Sequence, residues 1–278
     1  MSRAPAQPVS ATPAPAAPAA KTEPSRYNAP ALDKGLDILE TLSRSPDGLT
    51  LKQLAGALDR NVNQIFRMVM VLLRRHYIQV DEHDRYTLTL RMFTLAHHQP
   101  PIKHLIDKAL PLLHELAGRT QQSCHLAVYE QGHCVVIAQV DSPGRWSLGL
   151  KLGSLMGLAD TSSGHILLAY QDEAGRARML RDHVRVEGEL DLDPGQLLAL
   201  LAKVRETGCS LMPSKQIRGV TNIAFPVHGL KHHGVAAINV PYIARIDGAH
   251  TPTIDDVQHI LKDICQRLSH QLGADHVL

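Results

Sequence analysis

Apolar residues return at helical spacing from Ala31 onward, and each run ends at a turn signal. In "ALDKGLDILETLSRSPDGLT", Leu32, Leu36, Leu39 and Leu42 share one helical face, which breaks at "SPDG". Thr50 is a good N-cap for "LKQLAGALDR", a second helix expected to bury Leu51, Leu54, Ala55 and Leu58. A short turn through Arg60 to Val62 leads to a third helix, with Ile65, Met68, Val69, Leu72 and Leu73 inward. "YIQVDEHDRYTLT" then alternates around the polar turn "DEHD", the pattern of a two-stranded hairpin. Three helices with a tight turn between the second and third, followed by a hairpin, predict a winged helix-turn-helix domain over residues 29–90.

The pattern changes beyond it. "LRMFTLAHHQPP" predicts a linker helix over 91–101, stopped at Pro100-Pro101, and "IKHLIDKALPLLHELAGRT" resumes as an amphipathic helix. "CHLAVYEQGHCVVIAQVD" predicts a hairpin joined at Glu130-Gln131-Gly132, with another strand in "RWSLGL". "TSSGHILLAYQ" predicts a helix entered through Thr161 or Ser162. "DPGQLLALLAKVRETG" predicts one capped by Asp193, with Pro194 in its first turn and Gly208 at its end. "NIAFPVHG" and "GVAAINVPYIA" predict strands around an "LKHHG" turn. The last helix aligns Ile254, Val257, Leu261, Ile264 and Leu268 on one face. The expectation for residues 102–278 is an α+β domain whose helices pack on a mostly antiparallel sheet.

Composition removes several classes of function. Residues 1–28 are rich in Ala and Pro with no continuous apolar run, which predicts a disordered tail rather than a secretory signal. No stretch approaches a membrane span. Cys124, Cys134, Cys209 and Cys265 form no CxxC pair, so free thiols in a cytoplasmic protein are expected rather than disulfides or zinc. No Gly-rich phosphate loop, HExxH or GxSxG occurs, and nothing calls for a cofactor or a metal. Cys124 beside His125 and His133 beside Cys134 suggest a thiol enzyme only until strand alternation is applied. Sequence neighbours on a strand point to opposite faces.

A net charge of +2 makes any nucleic-acid footprint local. One stands out: between Asp59 and Asp81 there is no carboxylate, and the third helix shows Asn63, Gln64 and Arg67 on its polar side. In the major groove an acid there would be repelled by phosphates, whereas Asn63 and Gln64 suit adenine edges and Arg67 suits guanine or phosphate. Asn61 at the helix start joins this set. Lys52 is placed for the backbone, Arg85 in the wing for backbone or minor groove, and Arg74 and Arg75 for phosphate or structural roles. The expected partner is a double-stranded, palindromic DNA operator, bound with strong salt dependence.

Taken in order, these segments resemble the IclR family of bacterial transcription regulators from about Ala31 to the C-terminus. "ALDKGLDILETL" and "GLTLKQLAGAL" are similar to its first two helices. Where the family usually has Ser-Thr-Val-x-Arg-Leu, this chain has Asn63, Gln64, Ile65, Phe66, Arg67 and Met68. "HLAVYEQGHCVVIAQVDSP" resembles its first effector-domain hairpin. "LADTSSGHILLA" is similar to Thr-x-x-Gly-Lys-x-Leu-Leu-Ala, with Thr161 and Gly164 kept and His165 in place of lysine. The resemblance implies a GAF-like domain that binds a small-molecule effector, and assembly as a homodimer or homotetramer acting as repressor or activator. It implies an effector pocket around Thr161, Gly164 and His165 and around Met212, Asn222 and Asn239. Members sensing small keto acids tend to carry an acid, a cysteine and two serines where this chain has Met212, Asn222, Asn239 and Pro241. Losing those partners for a carboxylate predicts a bulkier or less charged ligand, an aromatic or aliphatic metabolite oriented by the two asparagine amides. Alternatively, a regulator of the same architecture senses a metal ion or oxidant through its histidines and Cys209. Trp146 beside "SPGR" is expected in a pocket wall, an interface or the core, and the pairs His97-His98 and His232-His233 in solvent.

Overall fold

A computed structural model describes residues 29–97, 100–230, 234–246 and 252–274. The expected tail, His98, the pair His232-His233 and the middle of the "LKHHG" turn lie outside the described residues. The chain divides into two compact units, residues 1–95 and 96–278.

The first unit holds α1 (Pro30–Ser43), β1 (Leu49–Thr50), α2 (Leu51–Ala57), α3 (Val62–Arg74), β2 (Ile78–Val80), β3 (Arg85–Leu88) and most of α4 (Arg91–His97). Its short antiparallel sheet has the order β1-β3-β2, so the wing pairs back onto the strand that precedes α2. Ile38, Leu42, Leu54, Ala55, Ile65, Val69 and Ile78 form the core. Both helices of the turn motif begin with a reciprocal capping box, Thr50 with Gln53 and Asn61 with Gln64. The leucine face expected of α1 is covered over part of its width. Ile38 and Leu42 are inside, while Leu32 and Leu36 are 62% and 48% exposed. At about 100° per residue, Leu42, Leu39, Leu32 and Leu36 lie roughly 40–160° round the helix from Ile38, so the leucines share one broad face, of which the core covers the Leu42 side and part of Leu39.

The second unit holds α5 (Pro100–Thr120), β4 (Cys124–Glu130), β5 (His133–Val140), β6 (Leu155–Met156), α6 (Ser162–Ala169), α7 (Glu173–Asp182), α8 (Pro194–Thr207), β7 (Ser210–Pro213), β8 (Val220–Leu230), β9 (Gly234–Ile243) and α9 (Ile254–Gln271). One antiparallel six-stranded sheet runs β6-β5-β4-β9-β8-β7. Strand alternation splits its side chains between two cores. Cys124, Leu126, Val128, Ile223, Phe225, Ile238 and Val240 pack with α5 and α9. Ala127, Ala224, Val235 and Ala237 pack on the other face with α6, α8 and Met179 of α7. The fold is α+β with a helical layer on each side of an antiparallel sheet.

Three features depart from expectation. "RWSLGL" is not a strand, and β6 comes later at Leu155–Met156. Ser147 spends its hydroxyl on Asp141, and the backbone first pairs with β5 through Gly153 and Ser154 to Val136. α7, with few apolar residues, and β7, an edge strand with Leu211 48% exposed, carry patterns too weak to have been predicted. Pro100 and Pro101 open α5, where the missing N–H groups cost nothing. Among the described residues, no helix is long and apolar enough to cross a membrane.

Candidate functional site

The start of α3 is built by its cap. Asn61 Oδ1 accepts from Gln64 N, and Gln64 Oε1 accepts from Asn61 N, both at 3.0 Å. The carbonyl oxygens of both side chains are therefore committed to the helix, leaving their amide N–H groups for any further contact. Asn63 and Arg67 are exposed. With Arg74 they lie roughly 160–200° round the helix from the buried Ile65, the outermost line of α3. Phe66 and Met70 are 46% and 45% exposed beside them, so the outer face is not purely polar. Lys52 stands exposed in the first turn of α2. Arg85 is partly tied down: its Nη1 donates to Gly48 O at 2.9 Å, holding the wing to the turn before β1. Arg60, in the turn before α3, pairs with Asp37 of α1 at 3.4 Å.

In the second unit a cavity of about 80 Å³ opens on the α6 side of the sheet. Strand parity builds its floor. His125 on β4 stands opposite Asn239 on β9 in register, and Asn222 on β8 stands opposite Pro241, all with cavity contacts. The first turn of α6 supplies Thr161, Ser162 and Ser163, and two loops close the sides through Leu148–Leu150 and Ser214, Gln216 and Ile217. No lining residue is an acid, a lysine or an arginine.

The expected pocket residues divide. Thr161, Asn222, Asn239 and Pro241 line the cavity; Gly164, His165 and Met212 do not. Thr161 caps α6, accepting from Gly164 N at 3.0 Å and donating to Gly157 O at 2.6 Å. Gly164 is there for space, since a Cβ would overlap the carbonyl of Leu158. His165 is buried with its Nε2 2.6 Å from Ala159 O, bracing the same turn, and burial lowers its pKa. Met212 is half-buried on β7 opposite Asn222. Trp146 is 74% exposed, outside the core.

Pattern reading missed His125, Ser162 and Ser163. His125 is 2% exposed, with Nε2 3.4 Å from Ser163 Oγ and no partner at Nδ1. Burial pushes its pKa down to about 4, so the ring is neutral near pH 7. Asn239 donates from Nδ2 to Asn222 Oδ1 at 3.3 Å, and its own Oδ1 is unpartnered, as is Ser162 Oγ. The signal was present: the alternation that separates Cys124 from His125 also aims His125 at the α6 face.

The turn before α6 hangs on a buried carboxylate. Glu189 accepts from Leu158 N at 3.0 Å, from Val186 N at 3.1 Å and from His183 Nε2 at 2.9 Å. Burial pushes this carboxyl up, but the bonds from His183 and Val186 outweigh it and leave its pKa below the usual value. No group of three or more His, Cys, Asp or Glu among the described residues is placed to hold a metal ion. Cys124 Sγ points at Leu113 O on the opposite side of the sheet from His125, and burial pushes its pKa up to about 12. Neither feature gives a thiol nucleophile a base.

The chain matches the IclR helix-turn-helix domain over residues 31–82 and the bacterial transcriptional regulator IclR C-terminal domain over residues 101–270. The protein belongs to the IclR family. That makes it a DNA-binding transcription regulator with an effector-binding C-terminal domain, in a family of regulators rather than enzymes. It is 25% identical over 213 residues to the HTH-type regulator RhmR of Escherichia coli, covering 76% of this chain and 82% of that one. Its fold is that of an IclR regulator from Alicyclobacillus acidocaldarius, with a TM-score of 0.70, 22% identity, and coverage of 89% of this chain and 100% of that one. An IclR homologue from Microbacterium hydrocarbonoxydans, crystallised with 4-hydroxybenzoate, shares the fold with a TM-score of 0.73 at 20% identity, covering 87% of this chain and 98% of that one.

Proposed function

We propose that this IclR-family regulator binds a palindromic operator as a homodimer or a pair of dimers in the cytoplasm, and that a compact, weakly charged metabolite in the second unit alters its grip. The observation that carries this reading is the cavity: a lining without charged groups, a helix N-terminus and several buried polar atoms still lacking partners. Its small volume favours a compact ligand over the bulkier one expected from the substitutions at Asn222 and Asn239, while the absence of charge supports the less charged half of that expectation. The relative crystallised with 4-hydroxybenzoate is consistent in chemistry with a small, singly charged aromatic acid.

On the DNA side, Asn63 and Arg67 read base edges. Gln64 and Asn61 contribute only their amide N–H groups, Lys52 meets the backbone, and Arg85 contributes what its bond to Gly48 leaves free. Dimerisation is supported by the apolar part of a wide groove between α1, α3 and α4, formed by Leu32, Leu36, Leu39, Val71, Met92 and Leu95. The groove is also lined by Asn61, Asn63, Gln64 and Arg67, which the partner copy has to leave to DNA. A second copy would cover that apolar wall and match the two-fold symmetry of a palindrome. Footprinting on DNA flanking the gene tests the reading. Two protected half-sites related by a two-fold axis, released or strengthened by a small acid, are expected. Protection of one unsymmetrical site, insensitive to a broad panel of metabolites, would count against it.

A further inference from the structure

His125 is the cavity residue whose chemistry is most restrictive. It faces Asn239 on the neighbouring strand, so the two side chains share one face at the spacing of a directly opposed pair. Both are nine-tenths buried or more, at 2% and 3% exposure, and each has an unpartnered polar atom, Nδ1 of His125 and Oδ1 of Asn239. Ser162 Oγ, on the first turn of α6 and 1% exposed, is a third. A buried polar atom left unpaired is costly, so three of them on residues that line one small cavity form a set awaiting a polar partner.

The set has a polarity. Asn239 Nδ2 donates to Asn222 Oδ1 at 3.3 Å, which leaves Asn239 Oδ1, an acceptor, as its unpartnered atom. A carboxylate placed there would meet that acceptor with no cation on the lining to offset it. A hydroxyl fits the tautomer in which His125 Nε2 accepts from Ser163 Oγ and Nδ1 carries the proton: the hydroxyl donates to Asn239 Oδ1 while its oxygen accepts from Nδ1. At Ser162 the requirement reverses. The first N–H groups of a helix have no acceptor within it and favour negative charge, so that end takes a carboxylate or carbonyl.

We propose that His125 and Asn239 are specificity-determining residues that read a hydroxyl group on the effector, whose acidic or carbonyl end lies at Ser162 and the start of α6. This rests on reading the cavity as the effector site, and it narrows the ligand to compact hydroxylated acids or hydroxy-carbonyl compounds.

Calorimetric titration of the full-length protein with matched pairs differing by one hydroxyl, 4-hydroxybenzoate against benzoate and lactate against propionate, tests it. In at least one pair the hydroxylated member should bind about 10-fold or more tightly. His125→Leu should bring the pair within about 2-fold of each other by weakening the hydroxylated member alone. Asn239→Leu should do the same, which guards against a folding defect in either single variant. Binding without preference for the hydroxyl, or a preference that survives both variants, overturns the role of His125 and Asn239 while leaving the cavity as the effector site. Failure of all four compounds to bind overturns the hydroxy-acid ligand class, and the effector reading falls with it only if a broad panel of metabolites also leaves the operator footprint unchanged.

Discussion

The two units present their chemistry in opposite ways. In the first, the proposed base-reading residues, Asn63 and Arg67, are exposed side chains about one turn apart on α3, and they need nothing from the rest of the chain except that Ile65 and Val69 be buried beneath them. In the second, the polar groups are buried and come from β4, β8, β9, the start of α6 and two loops. An exposed recognition surface can change residue by residue at little cost to folding. A buried one is part of the core, so its chemistry and its stability are the same interactions seen twice.

Variants in the second unit should therefore cost most. Gly164→Ala would push a methyl into the Leu158 carbonyl, and the cost should reach about 3 kcal/mol, at the upper end for overpacking. Urea unfolding of this unit would register it; a loss below about 0.5 kcal/mol would show that the turn before α6 yields freely. Acid should act next. His125 has a pKa near 4 in the fold against 6.5 when exposed, so the unfolded chain takes up the proton first. The stability it contributes is complete above pH 6.5 and falls as the pH drops toward 4, by about 2 kcal/mol at pH 5 and about 3 in all. His125→Leu should flatten this stretch of a denaturation-against-pH curve; an unchanged slope would mean that the ring is solvated.

The first unit should lose binding rather than stability. Arg67→Ala is expected to weaken operator binding by about 1–3 kcal/mol and to relax base preference, with the melting temperature hardly moved. Equal band shifts for the two proteins would remove Arg67 from the interface. Gln64→Glu is the finest probe, since glutamate keeps the capping box but adds a carboxylate to an acid-free face. Stability should stay within about 0.5 kcal/mol, while DNA affinity drops several-fold and recovers little with salt. A variant that binds as well as wild type would place Gln64 away from phosphate.

Sequence reading did better where neighbours in the chain are neighbours in space. Thr50, Thr161 and Asp193 cap helices whose signals lie within four residues of each other, and the strands around Val128 and Ile238 announce themselves as β-rich apolar runs. The capping box of Asn61 with Gln64 is equally local, but sequence reading assigned both residues to DNA contacts. It left open the exposure of Leu32 and Leu36, because periodicity marks an apolar face without saying what covers it. It placed Met212 and His165 in the pocket by correspondence of segments, although His165 braces Ala159 and Met212 lies outside the lining.

The chain's pattern alone determined the winged helix, the α+β division and the acid-free line along α3, because propensity, capping and charge act over a few residues. Which polar groups would be left unpaired in one cavity was decided by the register of β4 against β9 and the approach of α6 to the sheet. Those pairings join residues more than a hundred positions apart, and no local property of His125 carries the address of Asn239.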